Sequence, residues 1–141
     1  MIVTCHPERD LLAVRIESAL VASRRLGVGI AFPRGYDLKT KNNPALDWSE
    51  PASHRTTLAS QENGYTFVHQ RDDAVYHARL VPAGRIALLE TAPHHFRLRA
   101  AGAGDNVIAF TVEFGPTPIA TAAPVIEAVA KASEDRWRNF W

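Results

Sequence analysis

The sequence predicts an all-β fold, an antiparallel β-sandwich of about eight strands that ends in one C-terminal α-helix of a linker type. Between Gly64 and Phe114, five short segments alternate apolar and polar residues, and turn-forming residues separate them. Alternation of this kind is typical of strands that bury one face and keep the other wetter. The most apolar face is predicted to form the centre of the core, and it comprises Ile108, Phe110, Val112 and Phe114.

Residues 8–32 carry a pattern that fits two structures. Leu12 and Ile16 begin a stripe at helical spacing, but with Val14 they also alternate as in a strand. Periodicity alone leaves both open here. Further along, Gly27 and Gly29 would each weaken a helix by about 1 kcal/mol, so the second half is predicted to be a strand.

The remaining chain divides into a long loop and a terminal helix. Residues 33–63 are rich in proline, asparagine and charge, which predicts little regular structure and, at that length, either a functional role or disorder. Residues 122–139 show helical periodicity, with Pro124 placed in the first turn. We therefore divide the chain into a β-sandwich at 1–115 and a linker with the C-terminal helix at 116–141.

Composition excludes several classes of partner. With 16 basic and 15 acidic residues, the net charge of +1 predicts no nucleic-acid partner and no binding to an anionic membrane. No apolar run approaches the roughly 20 residues that a membrane span needs. Cys5 is the single cysteine, so no intrachain disulfide and no cysteine-based zinc cluster can form. The first residues lack the pattern of a signal peptide, and the compartment stays undecided.

Four segments together resemble one protein family: ERDLLAVRIESALVASRRLGVGIAFPRG, LDWSEPASHRTTL, VYHARLV and the closing ASEDRWRNFW. They are similar to the N-terminal β-sandwich (supersandwich-like) region and linker helix of bacterial six-hairpin glycosidases, whose catalytic (α/α)6 barrel follows. The resemblance implies strands at 9–18 and 25–32, joined by residues 19–24. The sequence departs from the family where Ala19 replaces a common proline and where 23–26 replaces a Gly-Arg-Leu turn.

The resemblance also implies where chemistry would lie. Glycoside hydrolysis needs two carboxylates that flank the scissile bond, and in this family that pair belongs to the barrel, so no catalytic residue is expected in this chain. Trp137, Phe140 and Trp141 would be interface residues made to pack against the barrel. In the long loop, Asp47 and Trp48 resemble an acid-plus-aromatic sugar contact.

Histidines provide the other candidates. His54 lies in the same loop motif as Trp48, and the resemblance makes it a residue that could face the catalytic cleft. His69 and His77 could meet across a hairpin, but two ligands fall short of a zinc site, so no metal and no other cofactor are predicted. His94 and His95 are adjacent and, on a strand, would point to opposite faces.

These observations predict a non-catalytic accessory domain of a carbohydrate-active enzyme, of glycoside hydrolase or phosphorylase type, that braces a barrel outside this chain. A free-standing carbohydrate-binding module and a small bacterial or phage interaction protein of the immunity type are the alternatives. Carbohydrate, the absent barrel and a second copy are the expected partners. The second copy would bind through a sheet edge or the C-terminal aromatic residues.

Overall fold

A computed structural model describes residues 1–35 and 48–141, and within them the chain forms an antiparallel β-sandwich with a C-terminal helix. One apolar cluster lies between the two sheets, and a second, smaller one lies beneath the C-terminal helix. The nine strands among these described residues are β1 (Ile2–Cys5), β2 (Leu11–Glu17), β3 (Val28–Ala31), β4 (Arg55–Gln61), β5 (Gly64–Arg71), β6 (Ala74–Pro82), β7 (Ile86–Ala92), β8 (His95–Ala100) and β9 (Val107–Gly115). The helices are α1 (Ala19–Ala22) and α2 (Ile126–Phe140), and Pro51–Ser53 form a 3-10 turn.

The two sheets differ in size. The larger has six strands in the order β1-β2-β9-β6-β5-β4, and the smaller has three in the order β3-β8-β7. All of the strand pairs are antiparallel. The five segments predicted between Gly64 and Phe114 are therefore all strands, but they do not form one continuous meander. The β7–β8 hairpin crosses to the smaller sheet, and β9 returns to pair with β6.

Apolar side chains from the two sheets meet in a single core. Phe67 and Leu80 on the larger sheet and Phe96 and Leu98 on the smaller one are each at most 2% exposed. Phe67 and Phe96 contact each other across the sheets, with ring centroids 4.9 Å apart. Fully burying a side chain of this size stabilises the fold by about 1.5–3 kcal/mol. The contact between Phe67 and Phe96 therefore contributes substantially to the packing of the two sheets.

Strand β9 is buried on both faces, whereas the sequence predicts burial of one face only. One face carries Ile108, Phe110 and Val112 into the space between the sheets. On the other face the helix α2 packs, with Val129 fully buried against Leu11 and Ala13. Phe114, at the end of the predicted core face, is 40% exposed.

Helix α2 begins later than the sequence predicts. The prediction of a start at residue 122, with Pro124 in the first turn, is wrong because the chain before Ile126 is held in a non-helical path. Arg9 donates hydrogen bonds to the carbonyl of Ala122 and to the hydroxyl of Thr121, and its guanidinium pairs with Glu113 at 2.6 Å. These bonds fix the linker across the outer face of β9.

Two strands were not predicted. β4 lies at Arg55–Gln61, inside the segment predicted to lack regular structure, and β1 lies at Ile2–Cys5. The prediction for 33–63 is therefore wrong over β4. In the N-terminal region, the strand interpretation holds for β2 and β3, and α1 forms most of the connection between them.

Candidate functional site: a histidine cluster beside a cleft

Three histidines converge at one end of the sandwich, and we refer to His54, His69 and His94 as the histidine cluster. His69 is on β5, His94 is in the β7–β8 turn, and His54 directly precedes β4. The ring centroids of His54 and His94 are 3.9 Å apart, and those of His54 and His69 are 5.2 Å apart. The cluster thus joins the larger sheet, the smaller sheet and the segment that precedes β4.

A hydroxyl group links two members of the cluster. Thr56 is the direct partner of His69 in the β4–β5 register, so both side chains point to the same face. The Thr56 Oγ1 lies 2.8 Å from His69 Nδ1 and 2.9 Å from His94 Nδ1. The Nε2 of His94 lies 2.8 Å from the carbonyl oxygen of Pro51.

The carbonyl of Pro51 determines the direction of these hydrogen bonds. A carbonyl oxygen can only accept, so His94 Nε2 carries a proton and donates it. In a neutral His94, Nδ1 is then an acceptor and receives the Thr56 hydroxyl proton. The hydroxyl oxygen accepts in turn from His69, which assigns the proton of a neutral His69 to Nδ1.

Burial favours the neutral form of two of the rings. His69 is 4% exposed, and burial, followed by the charges of His54 and His94, lowers its pKa to about 4. Burial also lowers the pKa of His54, and the charges of His94 and Arg71 lower it further, against smaller opposing effects from the backbone of Phe32 and Glu50. Neither ring nitrogen of His54 makes a well-formed hydrogen bond to a described residue, although both are buried.

A cleft of about 200 Å³ opens beside the cluster. His54 and His94 line it from within, and Trp48 lines it from the chain segment before the 3-10 turn. The indole of Trp48 contacts the ring of His95 at a centroid distance of 5.0 Å and remains 46% exposed. The cleft therefore presents an aromatic wall to solvent. No carboxylate is among the described residues that line it.

The structure brings together two of the three predicted sugar-contact residues. Trp48 and His54 line the same cleft, and Asp47 lies outside the described residues. The predicted contact between His69 and His77 is wrong, because His69 pairs with Tyr76 in the β5–β6 register while His77 pairs with Val68, on the opposite face.

Sequence reasoning missed Thr56 and the part played by His94. His94 does not lie on a strand but in the β7–β8 turn, with a φ of +64° that swings its ring toward the cluster. Histidine is one of the residue types that tolerate this left-handed conformation. The Ala92-Pro93 pair indicates a turn just before His94, but the role of the imidazole depends on the opposite sheet. Similarly, the Thr56–His69 pair depends on a strand that was not predicted.

A second candidate surface lies at the end of α2. Trp137, Phe140 and Trp141 are 59%, 65% and 93% exposed, respectively. They contact one another edge to face, with centroid distances of 5.9 Å between Trp137 and Phe140 and 5.3 Å between Phe140 and Trp141. Beside them, a cleft of about 300 Å³ is bounded by Cys5 on β1. We call these three residues the C-terminal aromatic patch.

Neither metal coordination nor membrane insertion is indicated by the described part of the chain. In residues 1–35 and 48–141, no group of three or more histidine, cysteine, aspartate or glutamate side chains is arranged to hold a metal ion. None of the helices there combines the length and the apolar character needed to cross a bilayer.

Fold and site together define a two-sheet antiparallel sandwich that carries a histidine cluster, an aromatic cleft and an exposed aromatic patch. The chain matches no family model, no curated protein and no solved structure.

Proposed function

We propose that this chain is a non-catalytic accessory β-sandwich domain of a carbohydrate-active enzyme, of glycoside hydrolase or phosphorylase type. The sequence resemblance to six-hairpin glycosidases supports this proposal over most of the chain. The described lining of the cleft agrees with it, because it offers an aromatic wall and histidines but no pair of carboxylates. The catalytic groups would be supplied by an (α/α)6 barrel.

The C-terminal aromatic patch is the observation that carries the proposal. Helix α2 is anchored to the sandwich through Val129, while its last turns present three large aromatic side chains to solvent. Exposed aromatic groups that cluster in this way are typical of protein interfaces. An anchored helix with an aromatic end suits a domain that holds a catalytic barrel in a fixed orientation.

Two observations test the proposal: an activity assay of the isolated chain, and the genomic sequence that follows the codon for Trp141. We expect the purified 141-residue chain to release no product from aryl glycosides, with or without phosphate. We expect the genomic reading frame to continue into helical hairpins, or a neighbouring frame to encode them. Enzymatic turnover by the isolated chain, or the absence of any such frame, would refute the proposal.

A free-standing carbohydrate-binding module is the second candidate, and the exposed face of Trp48 favours it. An indole that is half exposed beside a cleft can stack on a sugar ring. This candidate predicts saturable binding of an oligosaccharide in calorimetry, lost in Trp48→Ala and kept in Trp141→Ala, which removes an indole remote from the cleft. Flat titrations across a panel of glycans would exclude it.

A further inference from the structure

We propose that the histidine cluster is an acid-sensitive latch, which holds residues 48–54 against the β7–β8 turn at neutral pH and releases them when the cluster takes up protons. The segment 48–54 carries the aromatic wall of the cleft, so the latch would control the shape of that cleft. This inference is independent of the proposed enzyme association. It concerns a conformational change within the chain.

Three contacts attach the segment to the turn. The carbonyl of Pro51 accepts the hydrogen bond from His94 Nε2, at 2.8 Å. The ring of His54 lies 3.9 Å from the ring of His94, between centroids. Trp48 contacts His95, the first residue of β8. Of the three, the ring contact between His54 and His94 is the one that protonation weakens, because it places two ionisable groups against each other. His94 Nε2 carries a proton in both forms of the ring and keeps its bond to Pro51.

The short distance between the rings of His54 and His94 disfavours the protonation of both. Two imidazoles at the distance of His54 and His94 repel each other strongly once both are charged, because the site is largely shielded from water. A proton on His94 Nδ1 also reverses the contact with Thr56, because the ring nitrogen then donates and the hydroxyl oxygen accepts. Acid therefore weakens the stack of His54 on His94 and reverses the hydrogen bond between His94 and Thr56.

Arg71 is the charged neighbour that opposes additional positive charge on the cluster. From β5, Arg71 adds a charge that disfavours protonated His54, and its guanidinium donates to the carbonyls of Arg34 and Gly35. Arg34 pairs with Glu50 at 2.7 Å, so that carboxylate, which lies in the latch segment, is already neutralised. The other titratable neighbours are Tyr76 on β6, His95 on β8 and Asp72, which lies 3.7 Å from Arg71.

Tryptophan fluorescence measures the release directly. In a Trp137→Phe/Trp141→Phe variant, Trp48 is the single indole. As the pH is lowered from about 7.5 to about 4.5, we expect the acrylamide quenching constant of Trp48 to rise about twofold. This factor assumes that the released indole becomes as exposed as Trp141 is in the unsubstituted protein, since Trp141 is 93% exposed and Trp48 is 46% exposed. The rise should precede any loss of the far-UV circular dichroism of the sheets.

Two further substitutions in that background separate the latch from general acid effects. His54→Phe keeps a ring against His94 but cannot be charged, so we expect quenching to become independent of pH. His77→Gln removes a histidine on the opposite face of β6 and should leave the rise unchanged. Quenching that stays flat, that rises equally in His54→Phe, or that rises only with loss of the sheet signal would overturn the latch.

Hydrogen exchange of the unsubstituted protein provides a second test, which does not depend on whether His54→Phe folds. We expect the amides of residues 49–54 to exchange faster, after correction for intrinsic rates, at about pH 4.5 than at pH 7.5, while those of β9 stay protected. The latch would be contradicted if the protection of the segment before β4 were the same at pH 4.5 as at pH 7.5.

Discussion

At the scale of single residues, Thr56 determines the order of the histidine cluster. Its hydroxyl group is the only atom in the described chain that contacts both His69 Nδ1 and His94 Nδ1. Because a hydroxyl donates one proton and accepts others, it can satisfy two imidazoles of opposite polarity. Valine has the same shape as threonine but could do neither.

Replacing Thr56 by valine should therefore destabilise the fold. We expect Thr56→Val to lower the free energy of unfolding by about 1–3 kcal/mol, since it leaves two buried ring nitrogens without their partner. Thr57→Val is the matched control, because Thr57 is exposed and points to the other face of β4. Urea unfolding of the three proteins measures the difference. Equal losses in both variants would contradict the role of the hydroxyl group.

The lowered pKa of His69 predicts how stability changes with pH. Well above pH 6.5 the ring is neutral in both the folded and the unfolded state, so it contributes no pH dependence there. As the pH falls from 6.5 to about 4, only the unfolded state takes up the proton, and the free energy of unfolding decreases by at most about 3 kcal/mol. The lowered pKa of His54 acts in the same direction.

His69→Phe should remove this part of the dependence, since a phenyl ring cannot be protonated and can pack on Phe32 as the imidazole does. Urea unfolding at about pH 7 and at about pH 4.5 measures the change. His77→Gln serves as the control and should keep the full decrease. A decrease of the same size in His69→Phe would show that the ring does not titrate as described.

Single-residue chemistry could be predicted from the sequence only in part. Trp48 and His54 were predicted as sugar-contact residues of one loop, and the structure places both at one cleft. The roles of His69 and His94 were not predictable, because they depend on contacts with Thr56 that span 13 and 38 positions of the chain, respectively. Nothing local indicates that Thr56 and His94 meet.

At the scale of elements, the two ends of α2 differ: the first turns pack on the sandwich and the last turns are exposed. Its first turns stabilise the sandwich through Val129, and its last turns expose the C-terminal aromatic patch. The Arg9–Glu113 pair and its bonds to the linker fix where the helix begins. Anchoring and presentation are thus carried by different residues of one helix.

Two alanine substitutions in α2 test this division. Val129→Ala should lower the free energy of unfolding by about 2 kcal/mol, because it removes buried methyl groups and leaves a cavity. Trp137→Ala, at a 59% exposed position, should change stability by less than about 0.5 kcal/mol. Thermal or urea unfolding compares them. A large loss in Trp137→Ala would mean that the aromatic patch packs on the sandwich.

Element prediction succeeded where apolar residues alternate and failed where they do not. The segments from β5 to β9 carry enough apolar side chains on one face to be recognised. β4 has the sequence RTTLASQ and buries only part of Thr56 and Leu58, so its strand state comes from pairing with β5. The helix start was misplaced because the bonds that delay it come from Arg9, far away in the chain.

At the scale of the whole molecule, the two sheets are unequal. Six strands face three, so part of the larger sheet has no opposing strand among the described residues. At one edge of that sheet, β1 exposes Ile2 and Val3 at 61% and 52%. Unpaired edges and exposed apolar groups favour association with another surface.

The isolated chain is accordingly expected to self-associate. Light scattering should give a dimer that shifts toward monomer in a Trp137→Ala/Phe140→Ala variant, because those side chains would be buried between copies when no barrel covers them. Leu89→Ala, at a 59% exposed position on β7, is the control and should leave the dimer intact. A monomer at all concentrations would contradict this expectation.

The association with a carbohydrate-active enzyme is tested most directly by capturing the protein from its native cells with an antibody raised against the sandwich. The captured material should cleave glycosides, by hydrolysis or by phosphorolysis, and mass spectrometry should find an (α/α)6 barrel in the same polypeptide or bound to it. The 141-residue chain alone should have no such activity. Captured material without glycoside-cleaving activity would contradict the proposed function.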